Sequence, residues 1–142
     1  MKQEAPLCYC LRMRNASQAV AEFYNHILAS SGVTARQYFL LIQIGQMDLC
    51  SVQQLAAAVE LDRSTLSRSL KPLKEQGMIA DRKAEGARSS RLELTEKGKT
   101  VLAKAERLWQ KAQRSLEEQI GPQGVEALEK TFAALSGLKA GQ

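Results

Sequence analysis

The sequence predicts a mainly α-helical domain with one small β-hairpin, and three observations carry that expectation. Apolar residues recur at three- and four-residue steps along most of the chain, the mark of helices with one buried face. The step changes to alternation only once, between Gly77 and Leu94. Helix-start residues stand at Thr34, Ser51, Asp62 and Thr95, and glycines close other stretches at Gly32, Gly77 and Gly121. At 142 residues the chain amounts to about one domain. Its 44% apolar and 25% charged residues exclude a disordered, collagen-like or disulfide-stapled chain. The longest run of large apolar side chains, Tyr38 to Ile42, falls far short of the roughly 20 residues that cross a bilayer, so no membrane contact is expected. The start, Met1 to Pro6, carries an acid and a proline where a secretory signal would place apolar residues, which makes the cytoplasm the expected location.

The elements follow in order. Leu11, Ala16, Val20, Phe23 and Ile27, with Tyr24 and Leu28 beside them, predict a first helix that Ser30-Ser31-Gly32 ends. Thr34 is the expected N-cap of a second helix over 35–47, whose density of apolar residues (Tyr38, Phe39, Leu41, Ile42, Ile44) predicts that it is largely buried. Ser51 and Gln54 form a capping box for a short helix over 52–59. After Glu60-Leu61-Asp62, Asp62 caps a helix from Arg63 to about Gln76 that Gly77 terminates. Two helices joined by so short a turn make a helix-turn-helix. On a wheel of 100° per residue, Leu66, Leu70 and Leu73 share one stripe of the second helix. Ser64, Ser67, Arg68 and Lys71 occupy the opposite face, with Thr65 and Lys74 flanking it. Pro72 removes the bond back to Arg68, so a bend or a loosened last turn is expected there.

Residues 78–83 and 90–94 then predict two short strands around the tip Ala84-Glu85-Gly86-Ala87-Arg88. A hairpin directly after a helix-turn-helix is a winged-helix arrangement, and because an isolated hairpin is marginal in water it must lean on the helices. Thr95 opens a long helix marked by Val101, Ala105, Leu108, Ala112, Leu116 and Ile120. Gly121-Pro122 stops it and starts a last helix with the stripe Val125, Leu128, Phe132, Leu135 and Leu138. The terminal stripes need a partner surface, and a second copy of the chain is the simplest one.

Charge is concentrated in the middle of the chain. Residues 62–91 hold eight bases (Arg63, Arg68, Lys71, Lys74, Arg82, Lys83, Arg88, Arg91) against four acids, net +4, while residues 1–61 hold four of each. Such a segment points to a polyanionic partner. Asp62-Arg63-Ser64-Thr65-Leu66-Ser67-Arg68, then Leu73-Lys74-Glu75-Gln76-Gly77-Met78-Ile79 and Arg82, then Arg88 with Leu92-Glu93-Leu94-Thr95 and Gly98, resembles the signature of the MarR family of winged-helix transcription regulators. The resemblance spans nearly the whole chain. It implies a single domain over 1–142, with the winged helix-turn-helix at about 34–98 and dimerisation helices at about 7–30 and 99–139. It further implies a homodimer on palindromic duplex DNA, most often a repressor, released by a small-molecule or oxidant effector.

On that reading Ser64, Thr65, Ser67 and Arg68 meet base edges in the major groove, where an arginine can pair with guanine. Arg63, Lys71 and Lys74 hold phosphates, and Arg82 belongs to the same basic surface. Arg88 matches the family's wing arginine, which enters the minor groove. Many members carry an aspartate two residues before that arginine. Gly86 stands there instead, so the wing is expected to be more mobile, or Glu85 substitutes for the missing brace.

Three cysteines do not make a disulfide framework. Cys10 stands fourteen residues before Tyr24, an interval similar to that of the peroxide-sensing branch of the family. Cys10, with Cys8 and Tyr24, is therefore the candidate redox site. Arg12 and Arg14 stand nearby, and a positive neighbour favours the thiolate that oxidants attack. A second tyrosine expected four residues after the cysteine is Arg14 here, and no cysteine follows Cys50 to supply a C-terminal thiol. No metal site or cofactor is expected. His26, the single histidine, has no relay partner in the sequence, so no enzyme is expected. The alternative is a winged-helix protein-interaction adaptor without operator binding, which would be expected to lose Arg68, Lys71 and Arg88.

Overall fold

The computed structural model describes residues 6–139; residues 1–5, which hold most of the start read above, and 140–142 lie outside the described part. The order is α1 (Tyr9–Leu28), a 3-10 turn (Ala29–Ser31), α2 (Ala35–Gln46), α3 (Val52–Val59), α4 (Arg63–Glu75), β1 (Ile79–Asp81), β2 (Leu92–Leu94) and α5 (Glu96–Leu135). This is the expected winged helix-turn-helix, and each predicted cap closes by hydrogen bonding. Thr34 and Ser51 both form complete capping boxes, with Gln37 and Gln54 respectively. Among the described residues no helix is long and apolar enough to cross a membrane.

The core of the winged helix-turn-helix head joins predicted apolar positions with Leu40 and Leu55, which the sequence reading did not single out. Leu40, Leu41 and Ile44 of α2, Leu55 of α3, Leu66, Leu70 and Leu73 of α4, and Leu92 of β2 are all buried. Phe39 corrects the expectation for α2, because it is 47% exposed. At 100° per residue it projects roughly opposite the mean direction of Leu40, Leu41 and Ile44. Its ring makes edge contacts with Tyr38, at 5.4 Å between ring centroids, and with Trp109, at 6.2 Å.

Pro72 does not loosen the end of α4. The helix continues to Glu75, and a Schellman motif closes it: Met78 N donates to Leu73 O at 2.9 Å and Gly77 N to Lys74 O at 3.0 Å. Gly77 provides the left-handed residue that this closure needs, at φ 75°. The hairpin is shorter than predicted, pairing only Ile79 with Leu94, Ala80 with Glu93 and Asp81 with Leu92, followed by one further bond from Arg82 N to Arg91 O. Its support comes from a contact the sequence does not signal: Leu92 N donates to Cys50 O at 2.7 Å, so the residue just before the α3 cap makes a single antiparallel bridge to β2. Ser90 Oγ also accepts from Val52 N at 2.9 Å, fixing the wing to the start of α3.

The long helix kinks where Gly121 adopts φ 73° and ψ 168°, so that 96–120 and 122–135 are the two helices expected. Its first turn is clamped to the end of α4. Thr95 Oγ1 donates to Gly77 O at 2.5 Å, Thr95 N to Met78 O at 3.1 Å, and Lys97 Nζ to Gln76 O at 2.6 Å. Gly98 makes this approach possible, since a Cβ there would lie 2.0 Å from Met78 O.

Candidate nucleic-acid interface

The two-faced character of α4 is set by its sequence. Burying Leu66, Leu70 and Leu73 forces Ser64, Ser67, Arg68, Lys71 and Lys74 into solvent together, with Arg63 at the start of the same helix. Thr65 is half-buried at the flank. Lys71 lies 3.9 Å from Glu75, and with both side chains largely exposed this ion pair holds the lysine weakly. The positive charge of the helix face thus remains available to an outside anion.

Asp62 does more at the start of α4 than cap it. Oδ1 accepts from Thr65 N at 2.8 Å and from Ser64 Oγ at 2.7 Å, and Oδ2 accepts from Thr65 Oγ1 at 2.8 Å. The Thr65 N–H, the two hydroxyls and the nearby Arg68 charge hold this carboxyl far below the usual carboxylate range. Thr65 Oγ1 in turn accepts a longer bond from Arg68 Nη2, at 3.4 Å. The cap was legible in the sequence, but its capture of the neighbouring hydroxyls was not.

The wing presents Arg88 and its turn to solvent. Gly86, at φ 81°, completes a tight tip in which Ala87 N donates to Ala84 O at 2.9 Å. The brace sought at Glu85 lies elsewhere: Asp81 Oδ1 accepts from Arg91 N at 2.9 Å and from Lys83 N at 3.1 Å, tying the two arms together below the tip. Burial works to raise the Asp81 pKa. The two N–H donors and the charges of Lys74 and Lys83 outweigh it and hold the carboxyl below its ordinary value. Arg82 is paired across the wing with Glu93, so part of its charge is already neutralised.

The candidate redox residues are not brought together within one chain. Cys8 is the extended residue ahead of α1, Cys10 is the second residue of that helix, and both thiols are exposed. Tyr24 lies fourteen residues further along the same helix, about 21 Å away at 1.5 Å per residue. Its hydroxyl donates to Gln113 Oε1 of α5. Cys50 is buried in the core, and among the described residues no group of three or more histidine, cysteine or acidic side chains is placed to hold a metal ion.

Comparison with known proteins gives a consistent result. The family model described as "MarR family" matches residues 31–88. The organic hydroperoxide resistance transcriptional regulator of Bacillus subtilis is 30% identical over 106 residues, covering 74% of this chain and 71% of that protein. The HTH-type transcriptional regulator BilQ of Clostridium symbiosum is 35% identical over 83 residues, 58% of each chain. Among solved structures, the transcriptional regulator MosR of M. tuberculosis in complex with DNA is 29% identical, with a TM-score of 0.73 over 93% of this chain and all of that one. These relatives are regulators, and none is an enzyme.

Proposed function

The chain belongs to the MarR family of transcriptional regulators, and from that premise we propose that it is a homodimeric repressor that reads a pseudo-palindromic operator and is released by an oxidant or a small molecule. The observation that carries the operator reading is the face of α4 opposite its buried leucines. Arg68 and the hydroxyl side chains stand where base edges are read, and Arg63, Lys71 and Lys74 stand where a phosphate backbone passes. Arg88, on the exposed wing, reaches the adjacent minor groove. Arg82 acts mainly within the wing, through Glu93.

Homodimerisation rests on the apolar surface of the terminal helices. Leu11 and Met13 of α1 and Leu128 and Phe132 of α5 are exposed in the single chain. A twofold pairing through these helices buries them and holds two α4 helices for half-sites about one turn of duplex apart. Because α5 is clamped to the end of α4, a displacement of the dimer helices carries the recognition helices with it.

The oxidant reading rests on Cys10, an exposed thiol on α1, and on the hydroperoxide named in the B. subtilis relative. The Cys10 thiolate attacks the terminal peroxide oxygen, the S–O bond forms as the O–O bond breaks, and the departing alkoxide takes a proton from water, leaving a sulfenic acid and an alcohol. Any meeting of this sulfur with a Tyr24 hydroxyl is between subunits, given the length of helix that separates the two residues in one chain. Selection of bound sequences from random duplex DNA, with and without cumene hydroperoxide, tests the whole reading. The expected result is an inverted-repeat motif whose binding is lost on oxidation in the parent and kept in Cys10→Ser. Absence of any enriched motif overturns the operator reading, and equal oxidant sensitivity of Cys10→Ser overturns the thiol assignment.

A further inference from the structure

The hydroxyls on the reading face are not equivalent, because two of them already donate their hydrogen bonds within the chain. Ser64 Oγ donates to Asp62 Oδ1 at 2.7 Å and Thr65 Oγ1 to Asp62 Oδ2 at 2.8 Å. An ionised carboxylate only accepts, so in both bonds the hydroxyl must be the donor. Asp62 stays ionised throughout the working pH range, since its proton affinity is strongly depressed by those same bonds. Bonds to a charged acceptor are roughly twice as strong as neutral ones, so a neutral base acceptor does not draw these protons away. What remains on the outer side of Ser64 is lone pairs alone. Thr65 has one of its lone pairs turned to Arg68 at 3.4 Å, which leaves exposed Ser64 as the freer of the two. Ser67, also exposed, has no hydroxyl partner among the described residues and can donate or accept.

We propose that Asp62 is a specificity-determining residue that never touches DNA: it fixes the hydrogen-bond polarity of the recognition helix, presenting Ser64, and secondarily Thr65, to the major groove as acceptors only. In that groove adenine and cytosine offer amino donors, whereas guanine and thymine offer only acceptors to a hydrogen-bonding group. The consequence is a preference for A or C over G or T on the contacted strand, whichever base pair is present. The inference rests on the placing of Ser64 in the major groove proposed above.

The test is sequence selection from random duplex DNA with the parent, Ser64→Ala, Ser67→Ala, Asp62→Gly and Asp62→Asn. Glycine and asparagine are both accepted at an N-cap, and asparagine keeps an oxygen for the Thr65 N–H. The parent is expected to favour A or C by about three- to tenfold, the scale of one hydrogen bond, at the position that Ser64→Ala flattens. That preference falls below about twofold in Asp62→Gly and weakens in Asp62→Asn, by the same hydrogen-bond scale, while the position flattened by Ser67→Ala keeps the parent pattern. Enrichment of G or T in the parent at the Ser64 position overturns the inference, as does an unchanged pattern in Asp62→Gly. If Asp62→Gly melts before binding can be measured, an unchanged pattern in Asp62→Asn overturns it instead. A Ser64→Ala pattern identical to the parent at every position overturns the groove placement itself, and the inference with it.

Discussion

Replacing Gly98 with alanine tests whether the clamp between α5 and the end of α4 holds the head together. The added Cβ would sit 2.0 Å from Met78 O and 3.0 Å from Met78 C, both backbone atoms that no side-chain rotation can move aside. The Met78 carbonyl must therefore retreat, and it is the acceptor of Thr95 N, next to the Gly77 carbonyl that takes the Thr95 hydroxyl. Overpacking of this kind costs about 1–3 kcal/mol. Two weakened hydrogen bonds add about 2 kcal/mol. Alanine's better helix propensity returns about 1 kcal/mol. The net loss is about 2–4 kcal/mol, so the clash outweighs the propensity and the variant is less stable. In urea, at a mid-range slope of about 2 kcal/mol per molar, the unfolding midpoint falls by about 1–2 M with an unchanged slope. A midpoint equal to the parent's, or higher, would show that the two backbones do not approach as closely as this argument requires.

Lys71→Ala lowers affinity for all duplexes alike and reduces the salt slope by about one unit per half-site, hence about two for a dimer; a loss confined to one base position contradicts the phosphate role. Arg88→Ala weakens binding and flattens the A/T preference flanking the major-groove half-site, and identical footprints for variant and parent count against wing insertion. Phe132→Glu places a charge on an exposed apolar residue of the proposed dimer face. It is expected to sediment as a monomer and to lose operator binding, and an intact dimer at micromolar concentration refutes that use of the face. Asp81 has a lowered folded-state pKa, so its bracing of the wing is complete above the ordinary aspartate range and is lost only as the pH falls below about 3.9. Protection of the Lys83 and Arg91 amides, relative to the intrinsic exchange rate at each pH, is expected to fall there and to be lost already at neutral pH in Asp81→Ala; retained protection in that variant removes Asp81 as the brace.

The helix starts and stops were legible because their causes are local. Thr34, Ser51, Asp62 and Thr95 each satisfy a backbone donor within three residues, and Gly77 supplies its left-handed turn wherever the rest of the chain lies. The exposed polar face of α4 was legible for a related reason: once three leucines at helical spacing are buried, the opposite face is fixed by geometry. The features that were missed depend on segments far apart in sequence. Cys50 meets Leu92 across more than forty residues, and nothing in either neighbourhood announces the bridge. Glu93 becomes the partner of Arg82 only through strand register, which a one-residue slip would reverse.

Phe39 and Gly98 show two ways in which residue type misleads without tertiary context. An aromatic ring in a dense apolar helix suggests core, yet Phe39 lies at the edge of Tyr38 and Trp109 and stays about half open to solvent in the single chain. Glycine in the first turn of a long helix suggests weakness, yet Gly98 is where that helix meets the Met78 carbonyl most closely. The family signature contains Gly98 and the Leu-Thr step ahead of it, so pattern matching finds the position while giving no reason for it. The reason is mechanical. Only a residue without a Cβ lets Thr95 and Lys97 reach the carbonyls of the turn that closes α4, and those bonds tie the start of the long helix to the end of α4.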